Sequence, residues 1–240
     1  MATPSRNLVD IYSGRDPAVL PAYAITHAAW YLDLPRITVR TWVLGQSYQT
    51  ATGRRRFAPV IRMDDPRAEY ISFRNLVEVH VLAALTRKHL VKLPEVRKAL
   101  RYLEREFVSR HPLAEEHMLI AGKDLFVEKY GSLINVSHEG QIAMKEVLAR
   151  HLARIDRDPS GAPIRLFPFT TSDRSDTDTP VTINPRIQFG RPCITGTRVP
   201  TEEIADRCKA GEKIEELATD FGCSRDQVEA AIRYELRAAA

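Results

Sequence analysis

Six arginines stand between Leu34 and Arg62 (Arg36, Arg40, Arg54, Arg55, Arg56 and Arg62), and no aspartate or glutamate interrupts them. A guanidinium offers a planar fork of donors that matches phosphate oxygens, so an acid-free arginine span has the chemistry of a polyanion contact. Between Ile71 and Arg110 nine basic residues face four acidic ones, a local balance of +5. The last forty residues hold six basic and ten acidic ones, a balance of −4. The net charge of +4 therefore averages a basic front with an acidic back. The basic front suggests a polyanion partner, and the acidic back suggests a different one.

Other side chains with reactive potential do not assemble into a motif. There is no nucleophile elbow, no HExxH and no Walker loop, and no catalytic residue is assigned. Cys193, Cys208 and Cys223 are odd in number and lack CxxC spacing, which reads as reduced, partly buried thiols. His111 and His117 flank Glu115 and Glu116, but this spacing is a weak metal signature and no metal or cofactor is assigned. His151 reads as a core or interface histidine. With no apolar run of about 18 residues and no signal peptide, a cytoplasmic protein without membrane contact is expected.

Around the arginines the sequence predicts small helices and a hairpin. Residues 1–20 read as a leader in which Leu8, Val9, Ile11 and Tyr12 can dock. Thr26 can cap a helix with Ile25, Ala28, Ala29 and Leu32 on one face. Asp33-Leu34-Pro35 breaks it, and Pro35 suits the start of a second helix, which runs to Leu44 and stops at Gly45. Two extended runs around Thr52-Gly53 follow, the second carrying Phe57, Val60 and Ile61. Ser72 caps a long helix, and Val96, Leu100, Leu103 and Phe107 mark another over about 94–109. From His117 to Ser137 the apolar spacing shifts towards two, predicting short strands. A helix over 139–155, a strand at 164–167 and a polar linker at 170–180 complete the middle of the chain.

In the first helix pair, Thr38, Arg40 and Thr41 can reach base edges or phosphates, while Ile37, Val39 and Trp42 hold the helix to its support. The stretch YAITHAAWYLDLPRITVRTWV resembles the start of a MerR-type DNA-binding domain, with Thr38, Arg40 and Trp42 filling its T-x-R-x-W pattern. This implies a winged helix-turn-helix whose DNA contacts are Arg36, Thr38, Arg40, Thr41 and the wing residues Arg54, Arg55 and Arg56. The alternative is that these arginines are only a solvated face.

Towards the end, Ile183-Asn184-Pro185, Gly190-Arg191-Pro192 and Ile194-Thr195-Gly196-Thr197-Arg198-Val199-Pro200 precede helices stopped at Gly211 and Gly222. This string closely resembles the domain-of-unknown-function 433 family, associated with VapB-type antitoxins of type II toxin–antitoxin pairs. Ser224 and Gln227 form a capping box opening a third helix with Val228, Ala231, Ile232 and Leu236 on its apolar stripe. Arg198, Arg225, Gln227 and Arg233 are a possible second DNA or partner surface, with Arg198 pairing to Glu202 or Glu203. Asp226, Glu229 and Glu235 on the same helix favour a protein partner.

The reading is an α+β, mainly helical chain. It has a leader (1–20), a winged helix-turn-helix with dimerisation helices (21–110), a mixed strand–helix middle region (111–170), a linker (171–180) and a three-helix, helix-turn-helix-like module (181–240). The resemblances imply a non-enzymatic, homodimeric antitoxin and autorepressor, binding its own operator DNA and a PIN-like ribonuclease toxin. A stand-alone ligand-sensing regulator and an interaction adaptor that never binds DNA are the alternatives.

Overall fold

The computed structural model describes residues 12–51, 53–65, 69–88, 93–116, 118–134, 137–169 and 179–236. Helices dominate, with short strands between them. Strand β1 (Tyr23–Ala24) leads into α1 (Ile25–Tyr31), a tight turn and α2 (Arg36–Leu44). The cap of α1 is Ala24, with no side-chain bond, so Thr26 lies inside the helix and does not cap it. Pro35 is the cap of α2, and Gly45 ends it at φ 74°, as the sequence predicts. A Cβ at Gly45 would lie 2.3 Å from the Phe57 carbonyl oxygen, so the chain needs glycine there as much for space as for its dihedral.

Strands β2 (Gln46–Thr50) and β3 (Gly53–Phe57) form an antiparallel hairpin in which Tyr48 faces Arg55 and Gln46 faces Phe57. Val60 and Ile61, expected on the second strand, lie beyond it. Both are buried, and their amides donate to the Trp42 carbonyl at 2.8 and 3.0 Å. After β4 (Tyr70–Ile71), which pairs with β1, α3 (Phe73–Lys88) runs through the core. Ser72 caps it, accepting from the Asn75 amide at 3.2 Å. Phe73, Leu76, Val77, Val79, Val81, Leu82 and Leu85 are fully buried. Helix α4 (Leu93–Glu106) follows.

Helix α4 ends with Val108 in the left-handed region, at φ 51°. The Ser109 amide bonds back to the Glu104 carbonyl at 3.1 Å, the pattern of a helix end that normally takes glycine. A β-branched residue there is strained, and Val108 gains no burial in return, being 91% exposed. Val108→Gly is expected to stabilise the chain by about 1 kcal/mol, read as a raised denaturant midpoint. An unchanged or lowered midpoint would show that the valine contributes something glycine cannot.

Among the described residues, the strands expected between His117 and Ser137 are not formed. Residues Met118–Gly122 make a π-helical turn that leads into α5 (Lys123–Ile134). Phe126, Val127 and Tyr130 are buried together at helical spacing. Ser137 caps α6 (His138–Leu152), accepting from the Gly140 amide at 3.2 Å, and α6 packs on α3. The antiparallel sheet that follows has the order β5 (Ile155–Arg157), β6 (Pro163–Phe169), β7 (Val181–Ile183) and β8 (Pro192–Ile194). Leu166 faces Ile183 across residues 170–178, so the strand that opens the C-terminal region completes a sheet begun before it.

Helices α7 (Thr201–Lys209), α8 (Ile214–Phe221) and α9 (Arg225–Leu236) close over a small separate core of Ile194, Ile204, Leu217, Val228 and Ala231. Gly222 is left-handed at the end of α8, and the Ser224–Gln227 capping box forms in both directions, at 2.9 and 3.2 Å. Leu236, expected on the apolar stripe, is exposed, and Tyr234 is buried in its stead. Leu8, Val9 and Ile11 lie outside the described residues, whereas Tyr12 donates its hydroxyl to the Pro185 carbonyl at 3.0 Å. Among the described residues no helix is long and apolar enough to cross a membrane.

Candidate nucleic-acid interface

Between α1 and α2 the turn is set by Asp33 at φ 53° and by the Leu34 amide bonding to Ala29 at 2.8 Å. Val39, Trp42 and Val43 are buried, which leaves Arg36, Ile37 and Arg40 on the outer face of α2. Ile37, expected to hold the helix to its support, is exposed: it sits one turn before Thr41 and on the side of Arg36 and Arg40, not of Trp42. Thr38 and Thr41 are half-buried at the edges of the face. This face offers two charged forks and one apolar side chain, the residue types that meet guanine edges or phosphates and a thymine methyl.

The hairpin adds Arg54, Arg55 and Arg56, all exposed. Strand alternation puts Arg54 and Arg56 on one side and Arg55, opposite Tyr48, on the other. Its base is anchored. The Arg97 guanidinium lies 4.5 Å over the Phe57 ring and donates to the Ala58 and Pro59 carbonyls at 2.5 and 3.1 Å.

Behind the hairpin sits a buried charge cluster without a local sequence signature. His111 donates from Nδ1 to Glu78 Oε2 at 3.1 Å and from Nε2 to Asp64 Oδ1 at 2.9 Å. Ser72 donates to the other Asp64 oxygen. Asn75 Nδ2 donates to Glu78 at 3.1 Å and to the Arg62 carbonyl at 2.7 Å, and the Asp64 amide returns to Asn75 Oδ1 at 3.3 Å. Burial disfavours the imidazolium, but the hydrogen bonds and charges of Asp64 and Glu78 outweigh it and push the His111 pKa up to about 10. Burial raises Glu78 despite His111, whereas at Asp64 the His111 and Ser72 bonds overcome burial and lower it. The cluster ties the segment after the hairpin to α3 and to the turn beyond α4. His111 is thus a structural clamp. His117, its expected companion beside Glu115 and Glu116, lies outside the described residues, and among the described residues no group of three His, Cys, Asp or Glu side chains is placed to hold a metal ion.

The C-terminal candidates are dispersed. Arg225 is held by Glu229 at 2.8 Å and Glu215 at 3.0 Å, and the Gln227 side chain is engaged in the cap of α9 and near the Thr195 carbonyl. Arg233 is exposed on α9. Arg198 does not pair with Glu202: that carboxylate takes Arg191 at 2.6 Å. Glu235 is buried against Thr201 and faces no ligand surface. The cysteines are free, and burial raises Cys193 to about 11, so its thiol stays protonated. His151 is half-buried beside the buried His80, with ring centroids 5.3 Å apart.

The C-terminal helices also lean on the front of the chain. Tyr234 donates its hydroxyl to the Tyr31 carbonyl at 3.0 Å, with its ring 6.1 Å from Trp30. Gly190 packs against the buried Tyr23. Thus the helix that supports α2 and the helix that ends the C-terminal module share one seam.

Residues 181–234 match the family described as "Protein of unknown function (DUF433)", which bears out the resemblance expected over residues 182–234. Over most of its length the chain is also similar to two Mycobacterium tuberculosis proteins. One is named "Putative antitoxin VapB45" and is 27% identical over 237 residues, spanning 89% of this chain and 93% of the relative. The other, "Uncharacterized protein Rv2308", is 28% identical over 213 residues, 85% of each chain. The crystal structure of Rv2018 from the same organism shares the fold, with a TM-score of 0.63 at 19% identity, over 89% of this chain and 98% of that one.

Proposed function

We propose that this protein is an antitoxin whose front half binds DNA as a winged helix-turn-helix and whose C-terminal module receives the toxin. The observation that carries the reading is the similarity to a protein named as an antitoxin across nearly the full length of both chains, front half and module together. Helix α2 enters the major groove, with Arg36 and Arg40 on guanine edges or phosphates, Ile37 on a thymine methyl and Thr38 and Thr41 at the margin. The hairpin carrying Arg54, Arg55 and Arg56 tracks the adjacent backbone. Two copies present two α2 helices about 34 Å apart, one helical turn of DNA. At the C-terminal module Arg225 is already neutralised by Glu215 and Glu229, and the acidic surroundings repel phosphate. This face, with Arg198, Gln227 and Arg233 around it, is left for a protein partner, a PIN-like ribonuclease.

DNA from upstream of the gene, titrated at several salt concentrations, tests the first half of the reading. Each phosphate neutralised adds about 0.9 to the salt slope. Arg54/Arg55/Arg56→Ala is therefore expected to bind more weakly with a slope shallower by about 2.7 units. Wild type with no preference for that fragment would remove the autorepressor role. Co-expression with a PIN-like ribonuclease encoded beside the gene tests the second half, and failure to co-purify or to relieve growth arrest would remove the toxin partner.

A further inference from the structure

Helix α4 places Arg97, Arg101 and Arg105 at intervals of four, along one face. Arg97 is occupied by the hairpin base, but Arg101 and Arg105 are exposed. With Arg62, which follows the hairpin, and Arg110, in the turn beyond α4, they line an open groove of about 640 Å³. Glu104 is the single carboxylate among the described residues of its lining, and it is paired to Arg62 at 3.4 Å. Four guanidiniums against one carboxylate leave the concavity with three uncompensated positive charges. Among the described residues, Arg101, Arg105 and Arg110 have no carboxylate partner.

Such a gathering works against the stability of the fold. Burial and the neighbouring charge of Arg101 both lower the Arg97 pKa, the direction expected of like charges crowded together. The groove is nevertheless rigidly built. Its closing turn is fixed by the left-handed Val108, by the Ser109 amide on the Glu104 carbonyl, and by the His111 amide on Ser109 Oγ at 3.0 Å. Two residues later His111 is locked between Asp64 and Glu78. The backbone that carries Arg110 is thereby fixed beside α4.

We propose that this groove is a phosphate-binding site in which Arg101, Arg105 and Arg110 grip the oxyanions of a phosphodiester or oligophosphate chain. Guanidinium forks that converge on a concave site without a carboxylate partner are suited to that chemistry. Two sources can supply it: the backbone of DNA running past the hairpin, which rests on the operator reading above, or a free oligophosphate, which does not.

The full chain and its Arg101/Arg105→Gln variant are titrated with sodium tripolyphosphate at low ionic strength. They are also titrated with upstream duplexes of two lengths across a salt series. Arg110→Gln, which lies outside any helix, is a second variant should the first fail to fold. If free oligophosphate is the ligand, tripolyphosphate binds wild type and binding falls at least tenfold in Arg101/Arg105→Gln, while Arg54/Arg55/Arg56→Ala binds as wild type. If DNA is the ligand, the groove variant loses about two units of salt slope on the longer duplex and little on the shorter. Folded groove variants that match wild type with both probes overturn the proposal, as does a wild type that binds neither. A wild type that takes tripolyphosphate but ignores DNA leaves the groove standing and removes the operator reading.

Discussion

Replacing His111 with alanine is expected to destabilise the chain by about 3–5 kcal/mol, the usual cost of removing one partner from a buried charge cluster. The residue left behind explains the size. Glu78 is 3% exposed, and without the imidazolium its carboxylate keeps, among the described residues, the Asn75 side-chain amide as its donor. Asp64 still has Ser72 and is nearer the surface, so it suffers less. Glu78→Gln in the alanine background removes the orphaned charge and is expected to recover a large part of the loss, so the two changes combine far from additively. Denaturant unfolding of the four proteins of the cycle measures this. A small loss for His111→Ala, or full additivity, would mean that the cluster holds no coupled charge.

The same cluster gives the loss a pH dependence of defined sign. The His111 pKa is raised from its ordinary 6.5 to about 10. Its contribution is therefore complete below 6.5 and lost as pH rises through about 10. Asp64 is lowered, so its contribution is present above its ordinary 3.8 and lost as pH falls through the depressed value. Glu78 is raised by burial, so its ionisation subtracts stability as pH climbs out of the acid range. The gap between wild type and His111→Ala is consequently widest below 6.5 and above the carboxylate range, and narrows towards both ends.

These residues also show what the sequence could and could not tell. Pro35 and Gly45 around α2, Ser72 before α3, and the Ser224–Gln227 pair each act within three or four residues of themselves. Their meaning is local, and it was legible. His111 meets partners 33 and 47 positions away, and no spacing rule links them. The stretch after residue 117 was misread for a different reason. Met118-Leu119-Ile120 is a short apolar run, which fits strand or helix alike. The decisive pattern lay further on, at Phe126, Val127 and Tyr130. Gly131 sits inside α5, where a Cβ would come within 2.9 Å of the Gln141 side chain on α6. Ile37 was assigned to the core by hydrophobicity alone. Its exposure follows from helical phase relative to Trp42, and it puts an apolar side chain on the face otherwise formed by Arg36 and Arg40. The groove beside α4 has no local signature, since it joins Arg101 and Arg105 to Arg62 and Arg110 from other segments.

The seam between the two ends of the chain yields the other large expected effect. Gly190→Ala is expected to cost about 2–4 kcal/mol, from a left-handed backbone added to overpacking. Gly190 has φ 81°, and an added Cβ would fall 2.0 Å from the Tyr23 hydroxyl oxygen and 2.7 Å from the ring carbon bearing it. Tyr23 has little room to retreat: it is 2% exposed, and its ring is set against Tyr31 and Phe73 at 6.3 and 6.4 Å. The strain must therefore pass into the strand before α1 or lift the 187–190 loop away. Either movement acts on the surface where Tyr234 meets Tyr31 and Trp30, directly behind the helix supporting α2. Tyr23→Phe removes the hydroxyl that causes the closest contact, so it is expected to soften the effect of Gly190→Ala while costing little alone. Unfolding midpoints of the two single variants and the double variant decide the point. A Gly190→Ala chain as stable as wild type would mean that the module and the front half do not press together at Tyr23.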